Sequence, residues 1–150
     1  MDAVTYPQKT VVDFITDYLV PLRININDQS FYQRFHTYWT PTLAVLGHDG
    51  HEVQRTVGFF QPDPLIASLH LGIAKARLNG ADFEAAEVHF SRLLEHYPDD
   101  DMVPEALFFR GVNGYKMHDD ATQLKAAQEK LLSDYPDSPW AKRAEPYRLI

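Results

Sequence analysis

Histidines and carboxylates are the side chains with which this chain could do chemistry, because its 150 residues include no cysteine. His48 and His51 have a His-x-x-His spacing around an Asp-Gly pair. Two such ligands would need a third and a fourth to hold a metal, so a solvated turn is the favoured interpretation. The other histidines follow no ligand spacing, and we predict no metal site; they stand at positions 36, 70, 89, 96 and 118.

The carboxylates have equally simple interpretations. Asp13 and Asp17 are four residues apart on a predicted helix, opposite its apolar face, where no apolar surroundings would raise a pKa. The acidic runs at 99–101 and 119–120 lack the alternating ligands and central glycine of a calcium loop. They are more typical of helix caps and solvated loops.

Several classes of function are excluded for the chain as given. Without cysteine it has no thiolate nucleophile, disulfide, Cys-ligated zinc or Cys-x-x-Cys redox pair. It also lacks the glycine-rich phosphate loops, the Gly-x-Ser-x-Gly elbow and the His-Glu-x-x-His zinc motif. We therefore predict no catalytic residue and no cofactor.

The charge balance limits the partners. The formal net charge is −7, which disfavours nucleic acids and anionic membrane surfaces. No apolar run reaches membrane-spanning length, and residues 1–7 lack the basic and apolar regions of a signal peptide. The expected location is therefore cytoplasmic.

Apolar periodicity predicts the elements of the first 60 residues. Residues 8–19 have a helical repeat, carried by Val11, Val12, Ile15, Tyr18 and Leu19. Residues 20–26 alternate in the manner of a strand, with Val20, Leu22, Ile24 and Ile26 on one face. A short helix with Phe31, Tyr32 and Phe35 follows. Strands at 42–46 and 53–57 then flank an Asp49-Gly50 turn.

For the second half of the chain, the apolar pattern predicts helices and no strand. They are predicted at 65–78, closed by Gly80, from Asp82 to 97, at 103–117, at 121–134 and from about Ser138. The stretch 93–99 matches 131–137 at an offset of 38, and Gly72 and Gly111 pair at 39. Such a period indicates stacked helix pairs.

This half resembles tetratricopeptide repeats. The resemblance is carried by the paired glycines, by Ala86 where two helices would cross, and by the prolines at 98 and 136 that end a helix. It implies that a glycine in each first helix allows close approach of the second, and that Trp140 caps the stack. The stretch 135–144 is similar to the longer variety found in bacterial scaffold and envelope-assembly proteins.

The first half resembles the closing part of a thioredoxin fold. The order of Trp39-Thr40-Pro41, a strand, Asp49-Gly50, a second strand and a helix carries this resemblance over residues 1–79. It implies that Pro41 is the family's cis-proline, beside the groove that holds an extended peptide. The family's opening strand, helix and second strand with Cys-x-x-Cys are not in this sequence.

That departure gives two hypotheses. In the first, the chain is an N-terminally truncated, non-catalytic module, and in the second it is a remnant of a thiol–disulfide oxidoreductase with Cys-x-x-Cys upstream of Met1. A natural minimal form and a thiol-free holdase are further options. Without the central strand, the strands at 20–26 and 42–46 would pair directly or leave open edges, through which a homo-oligomer could form.

The resulting prediction is an α/β protein, partly thioredoxin-like with about three strands, followed by an all-α tetratricopeptide-like region. The first unit would cover 1–79 and the second 64–150, sharing the helix at 64–78. The predicted activity is binding of a protein or peptide. Two surfaces would serve it, with candidate residues Trp39, Thr40 and Pro41 on one and Phe108, Asn113, Tyr115 and Lys116 on the other.

Overall fold

The computed structural model describes residues 1–25 and 27–150, with the backbone alone at positions 29 and 32. The described chain is mostly helical and includes one antiparallel hairpin. Its helices are α1 (Lys9–Tyr18), α2 (Gln29–Phe35), α3 (Pro62–Asn79), α4 (Phe83–His96), α5 (Val103–His118), α6 (Thr122–Asp134) and α7 (Pro139–Ala144). The strands are β1 (Thr42–Leu46) and β2 (Glu52–Val57), and a 3-10 turn, Glu145–Leu149, ends the chain.

The structure therefore has an α/β start followed by helices, but it has two described strands where about three were predicted. Residues 20–25 form neither helix nor strand, and Ile26 lies outside the described residues, as does the side chain of Tyr32. The prediction of a strand over 20–26 is wrong for residues 20–25. An alternating apolar pattern defines one face of a strand, but it provides no partner for the backbone hydrogen bonds. Here Val20 and Leu22 are 96% and 74% exposed.

Helix α1 forms as predicted, but its buried stripe is rotated from the expected one. Val11 and Phe14 are buried, whereas Val12 is about half exposed. Val11 and Phe14 both face α3, because the segment before α1 is bonded to the residues that precede α3. There the buried Thr5 donates from Oγ1 to the Phe60 carbonyl oxygen, at 2.5 Å.

The hairpin has an antiparallel register in which Thr42 lies opposite Val57 and Val45 opposite Gln54. Its turn uses Gly50 at a φ of 76°, a left-handed conformation that glycine adopts readily. Val45 and Gln54 lie on the face that packs on α3. A β-carbon added at Gly72 of α3 would lie 2.7 Å from Val45 Cγ2, so glycine is what lets the helix approach the sheet.

Helix α3 is buried on nearly all sides and belongs to two apolar cores. Leu65, Ile66, Leu69 and Ile73 pack with Val11, Phe14 and Val45. Ala67, Leu71, Ala74 and Leu78 pack with the core of the following helices, which includes Phe90, Leu93 and Leu131. A helix that is apolar all round is typical of such a central position.

The later helices pack in chain order, each against the next, as α3–α4, α4–α5, α5–α6 and α6–α7. Asp82 and Ser138 accept backbone hydrogen bonds as N-caps of α4 and α7. The two paired glycines have different partners. Gly72 faces the sheet, whereas a β-carbon at Gly111 would overlap Cβ of Ala127 in α6. Only Gly111 therefore has the helix–helix role that the resemblance implied.

A polar cluster connects the hairpin to the helices. Lys75 Nζ donates to Gln54 Oε1 at 2.7 Å and to Glu105 Oε1 at 2.8 Å, and it lies 5.2 Å from the ring centre of Phe109. The side chains of Lys75 and Glu105 are only 18% and 17% exposed. This cluster thus ties β2, α3 and α5 together.

Among the described helices, none is both long and apolar enough to cross a membrane.

Candidate functional site

The open end of the hairpin gathers the first set of predicted site residues. The Gly58 amide donates to the Pro41 carbonyl oxygen at 2.8 Å, which places the segment before β1 beside the segment after β2. The Thr40–Pro41 peptide bond is cis, as the resemblance implied. Thr42 Oγ1 donates to the Trp39 carbonyl oxygen at 2.6 Å, which closes the turn that leads into the strand.

Apolar side chains remain exposed at this end of the hairpin. Trp39 is 67% exposed, and Val57 and Phe59 are each 53% exposed. We call these three residues the hairpin-end patch. Such large groups cost free energy in water, so a patch that joins two neighbouring backbone segments is typical of an interaction surface.

The outer edge of β1 lies next to the hairpin-end patch. In the described chain β1 pairs only with β2, so its other edge has no strand beside it. Antiparallel pairs alternate between hydrogen-bonded and non-hydrogen-bonded positions. Because Pro41 and Gly58 form a bonded position, the amides and carbonyls of Thr42 and Ala44 point away from β2. Ala44 is exposed, so these groups are available to an incoming strand.

The second set of predicted residues is dispersed over α5. Tyr115 and Lys116 are exposed, whereas Phe108 is half-buried against Trp140 and Tyr147, with ring centres 5.2 and 5.8 Å away. Trp140 therefore packs on α5, at the end of the helices. Asn113 is fully buried, and its Nδ2 donates to the Phe83 carbonyl oxygen at 3.0 Å. It joins α5 to the start of α4 and does not line a surface.

Two of the carboxylates that were considered as calcium ligands, Asp100 and Asp120, bond to the backbone two residues further on, just before α5 and α6. Asp100 Oδ1 accepts from the Met102 amide at 2.9 Å, and Asp120 Oδ1 accepts from the Thr122 amide at 2.9 Å. Asp13 bonds to Lys9 at 2.5 Å on the exposed face of α1. Where the structure describes the chain, no group of three or more histidine or acidic side chains is placed to hold a metal.

An open pocket of about 460 Å³ lies beside the hairpin turn. Its charges are mixed, since it contains two arginines and two carboxylates, and Arg55 is paired with Glu52 across three residues of β2. Arg55 also donates to the Phe35 carbonyl oxygen and so fixes the end of α2. The pocket is lined by Arg34, Phe35, His36, Asp49, Gly50, His51, Glu52 and Arg55.

A buried histidine pair is the feature that the sequence analysis missed. His70 of α3 and His89 of α4 are 4% and 6% exposed, and their Nδ1 atoms are 2.9 Å apart. One ring must donate and the other accept, because both cannot donate across this distance. The lack of a ligand spacing at positions 70 and 89 therefore did not exclude a direct contact between the two rings.

A signal for this pair was present in the sequence. Residue 70 lies ten positions before Gly80, in the turn between the two helices, and residue 89 lies nine positions after it. An antiparallel helix hairpin brings such positions together. His70 also lies between two leucines in the run 65–74, in which every residue except Ser68 and His70 is apolar or glycine.

Burial lowers the pKa of both histidines. The pKa of His70 falls to about 3, through desolvation and the nearby His89, Arg92 and His96. The pKa of His89 falls to about 4, through desolvation, Arg92 and Arg77. Both rings are therefore neutral at pH 7, and they bond as a neutral pair.

The comparisons with known proteins add no relative. No family model, curated protein or solved structure matches this chain. The arguments on its function therefore depend on its own residues.

Proposed function

We propose that this protein binds an extended polypeptide segment, which adds as a strand to the outer edge of β1. The observation that carries the proposal is the unpaired edge at Thr42 and Ala44, next to the hairpin-end patch. Main-chain bonds to the edge would supply affinity, and an apolar side chain of the ligand would contact Trp39. This is a binding function without catalysis.

The hairpin edge is favoured over α5 as the binding surface. On α5, Asn113 is fully buried and Phe108 is engaged with other aromatic rings. Tyr115 and Lys116 are exposed side chains on a helix whose backbone bonds are internal. At the hairpin, by contrast, unpaired backbone groups and exposed apolar side chains occur together.

The test is a peptide selection followed by two edge variants. Random twelve-residue peptides displayed on phage would be selected on the wild-type protein, and the affinity of the best peptide measured by fluorescence anisotropy. Ala44→Pro removes the outward amide, at a position where β2 does not use it. We expect it to weaken binding about tenfold or more, as the loss of a main-chain bond and a steric block would. Ala44→Thr keeps the amide and should stay within about twofold.

A second pair of variants distinguishes the two surfaces. Trp39→Ala should weaken peptide binding, and Tyr115→Ala should leave it unchanged. Equal binding by Ala44→Pro and wild type, or a selection that yields no peptide above an uncoated control, would contradict the proposal. Self-association that Ala44→Pro abolishes would instead identify a second copy of the chain as the occupant of the edge.

A further inference from the structure

The histidine pair lies where α1 meets the helix hairpin of α3 and α4. The ring of Phe14 stands edge-on to His70, with centres 4.7 Å apart, and that of Tyr18 stands edge-on to His89 at 5.2 Å. The ring centre of Tyr97, just after α4, lies 6.3 Å from that of His70. The two histidines thus form the floor on which the end of α1 packs.

Helix α1 has few buried residues that attach it to the rest of the molecule. Val11 and Phe14 are its two buried residues, and its packing is against α3. Arg92 of α4 donates to the Tyr18 hydroxyl and lies over the Tyr18 ring, 5.4 Å from its centre. Beyond α1, residues 20–25 have no regular structure. Besides Val11 and the half-buried Ile15 and Leu19, which pack on the core shared with α3, the contacts around the two histidines hold the C-terminal end of α1.

The charges that act on the pair are cationic. On α4 they are Arg92 and His96, and on α3 the charge is Arg77, which is itself paired with Asp82 at 3.1 Å. Asp63, at the start of α3, acts on Tyr97. From α1 the facing groups are the aromatic rings of Phe14 and Tyr18. A positive charge on either imidazole would thus meet cations and apolar rings.

We propose that α1 is an acid-sensitive clasp, which detaches from α3 and α4 when the His70–His89 pair is protonated. A proton on the accepting Nδ1 removes the lone pair on which the 2.9 Å contact depends. The two imidazoles then separate, and the floor beneath Phe14 and Tyr18 is lost. Detachment lets water reach both rings and removes Val11 and Phe14 from the core that they share with Leu65, Leu69 and Ile73 of α3.

The direction of the pH effect follows from linkage. Both histidines have a lower pKa in the closed state than the ordinary value of about 6.5, which they regain when the clasp opens. The closed state is therefore fully stable above about pH 6.5 and loses stability as the pH falls below it. For each histidine that binds a proton only in the open state, the open population rises up to about tenfold for every unit by which the pH falls.

Amide hydrogen exchange of the full chain, followed by NMR between pH 7 and pH 5, would test this proposal. Exchange rates would be corrected for the intrinsic pH dependence of the chemistry and compared between α1 and α6. We expect the opening constant of amides 13–18 to rise about tenfold or more between pH 6 and pH 5. Amides in α6 should keep smaller opening constants than those in α1 at each pH, because α6 is distant from α1 in the chain of helix contacts.

Two variants complete the test. His70→Leu with His89→Leu removes both titrations and keeps apolar volume, so the pH dependence of α1 opening should disappear. His118→Gln, at the exposed end of α5, removes a histidine elsewhere and should leave the dependence unchanged. If the double variant does not fold, the second readout is the carbon chemical shifts of the two imidazole rings in the wild-type protein. Both rings should remain neutral to below pH 5 as long as α1 is attached.

Three results would overturn the proposal. The first is α1 protection that does not change with pH. The second is one and the same opening constant for α1 and α6 at each pH, which would mean that α1 opens only by global unfolding. The third is an unchanged pH response in the double leucine variant.

Discussion

Gly111 of α5 lies where this helix packs closely on α6. A methyl group there would overlap Cβ of Ala127, so Gly111→Ala should push α5 from α6 and lower the free energy of unfolding by about 1–3 kcal/mol. Urea unfolding followed by circular dichroism measures this. Gly114→Ala, on the same helix, would bring a methyl group to 3.1–3.3 Å from side-chain atoms of Gln123 and should cost clearly less than Gly111→Ala. Recovery in Gly111→Ala with Ala127→Gly would show that the clash is the cause; equal losses in both single variants would contradict it.

Thr5 is a second residue whose contribution to the free energy of unfolding can be measured separately. Its buried hydroxyl donates to the Phe60 carbonyl oxygen, and Thr5→Val keeps the shape while removing the donor. Leaving that carbonyl unpaired should cost about 1–3 kcal/mol. Urea unfolding would measure the loss, with the exposed Thr16→Val as the control. A cost no larger than that of the control would mean that water replaces the bond.

Individual residues also show how far sequence reasoning reaches. Asp82 and Ser138 were identifiable as helix starts, because a cap is a local property that neighbouring residues determine. Asn113 was assigned to a surface but is buried, since its place depends on how α5 packs against α4. The His70–His89 pair needed the same information, namely which faces of two helices meet.

At the scale of elements, the helices were predictable and the three-stranded sheet was not. A helix satisfies its own backbone, so periodicity and caps suffice for α3 to α6. A strand depends on a partner strand that is often remote in sequence, and residues 20–25 have none in the described chain. The hairpin was predictable because its partner strands are joined by a short Asp49-Gly50 turn.

The joint between the hairpin and the helices depends on Lys75. Lys75→Met breaks its bonds to Gln54 and Glu105 and leaves a largely buried carboxylate without its cation. We expect a loss of about 1–3 kcal/mol, since the pair is mostly but not wholly buried. Glu105→Gln in addition should cost less than the sum of the two single changes. Additive losses in that double-mutant cycle, measured in urea, would mean that the two side chains are not coupled.

At the scale of the whole molecule, α3 connects the two cores, and we expect them to unfold together. Trp39 and Trp140 report on opposite parts of the chain, so each can be kept alone by replacing the other with phenylalanine. Fluorescence of both single-tryptophan proteins and circular dichroism should give one urea midpoint. Separate midpoints would show that the hairpin and the helices unfold independently.

The global stability should also depend on pH through the two buried histidines. Their pKa values are about 3 and 4 in the folded state and near 6.5 in the unfolded state, so stability is retained above pH 6.5 and falls below it. Between pH 7 and pH 5 each should contribute a loss of about 2 kcal/mol. Urea unfolding at both pH values measures this, and a wild type as stable at pH 5 as at pH 7 would refute it.

The two-sided burial of α3 also constrains how this protein can evolve. Each residue added to a helix turns the part beyond it by about 100°. An insertion near Gly72 would therefore rotate Leu78 and its neighbours away from the helical core while Leu65 still faced the sheet. Length variation among descendants of this sequence should consequently collect at residues 20–25 and at the hairpin turn, and spare the eighteen positions of α3.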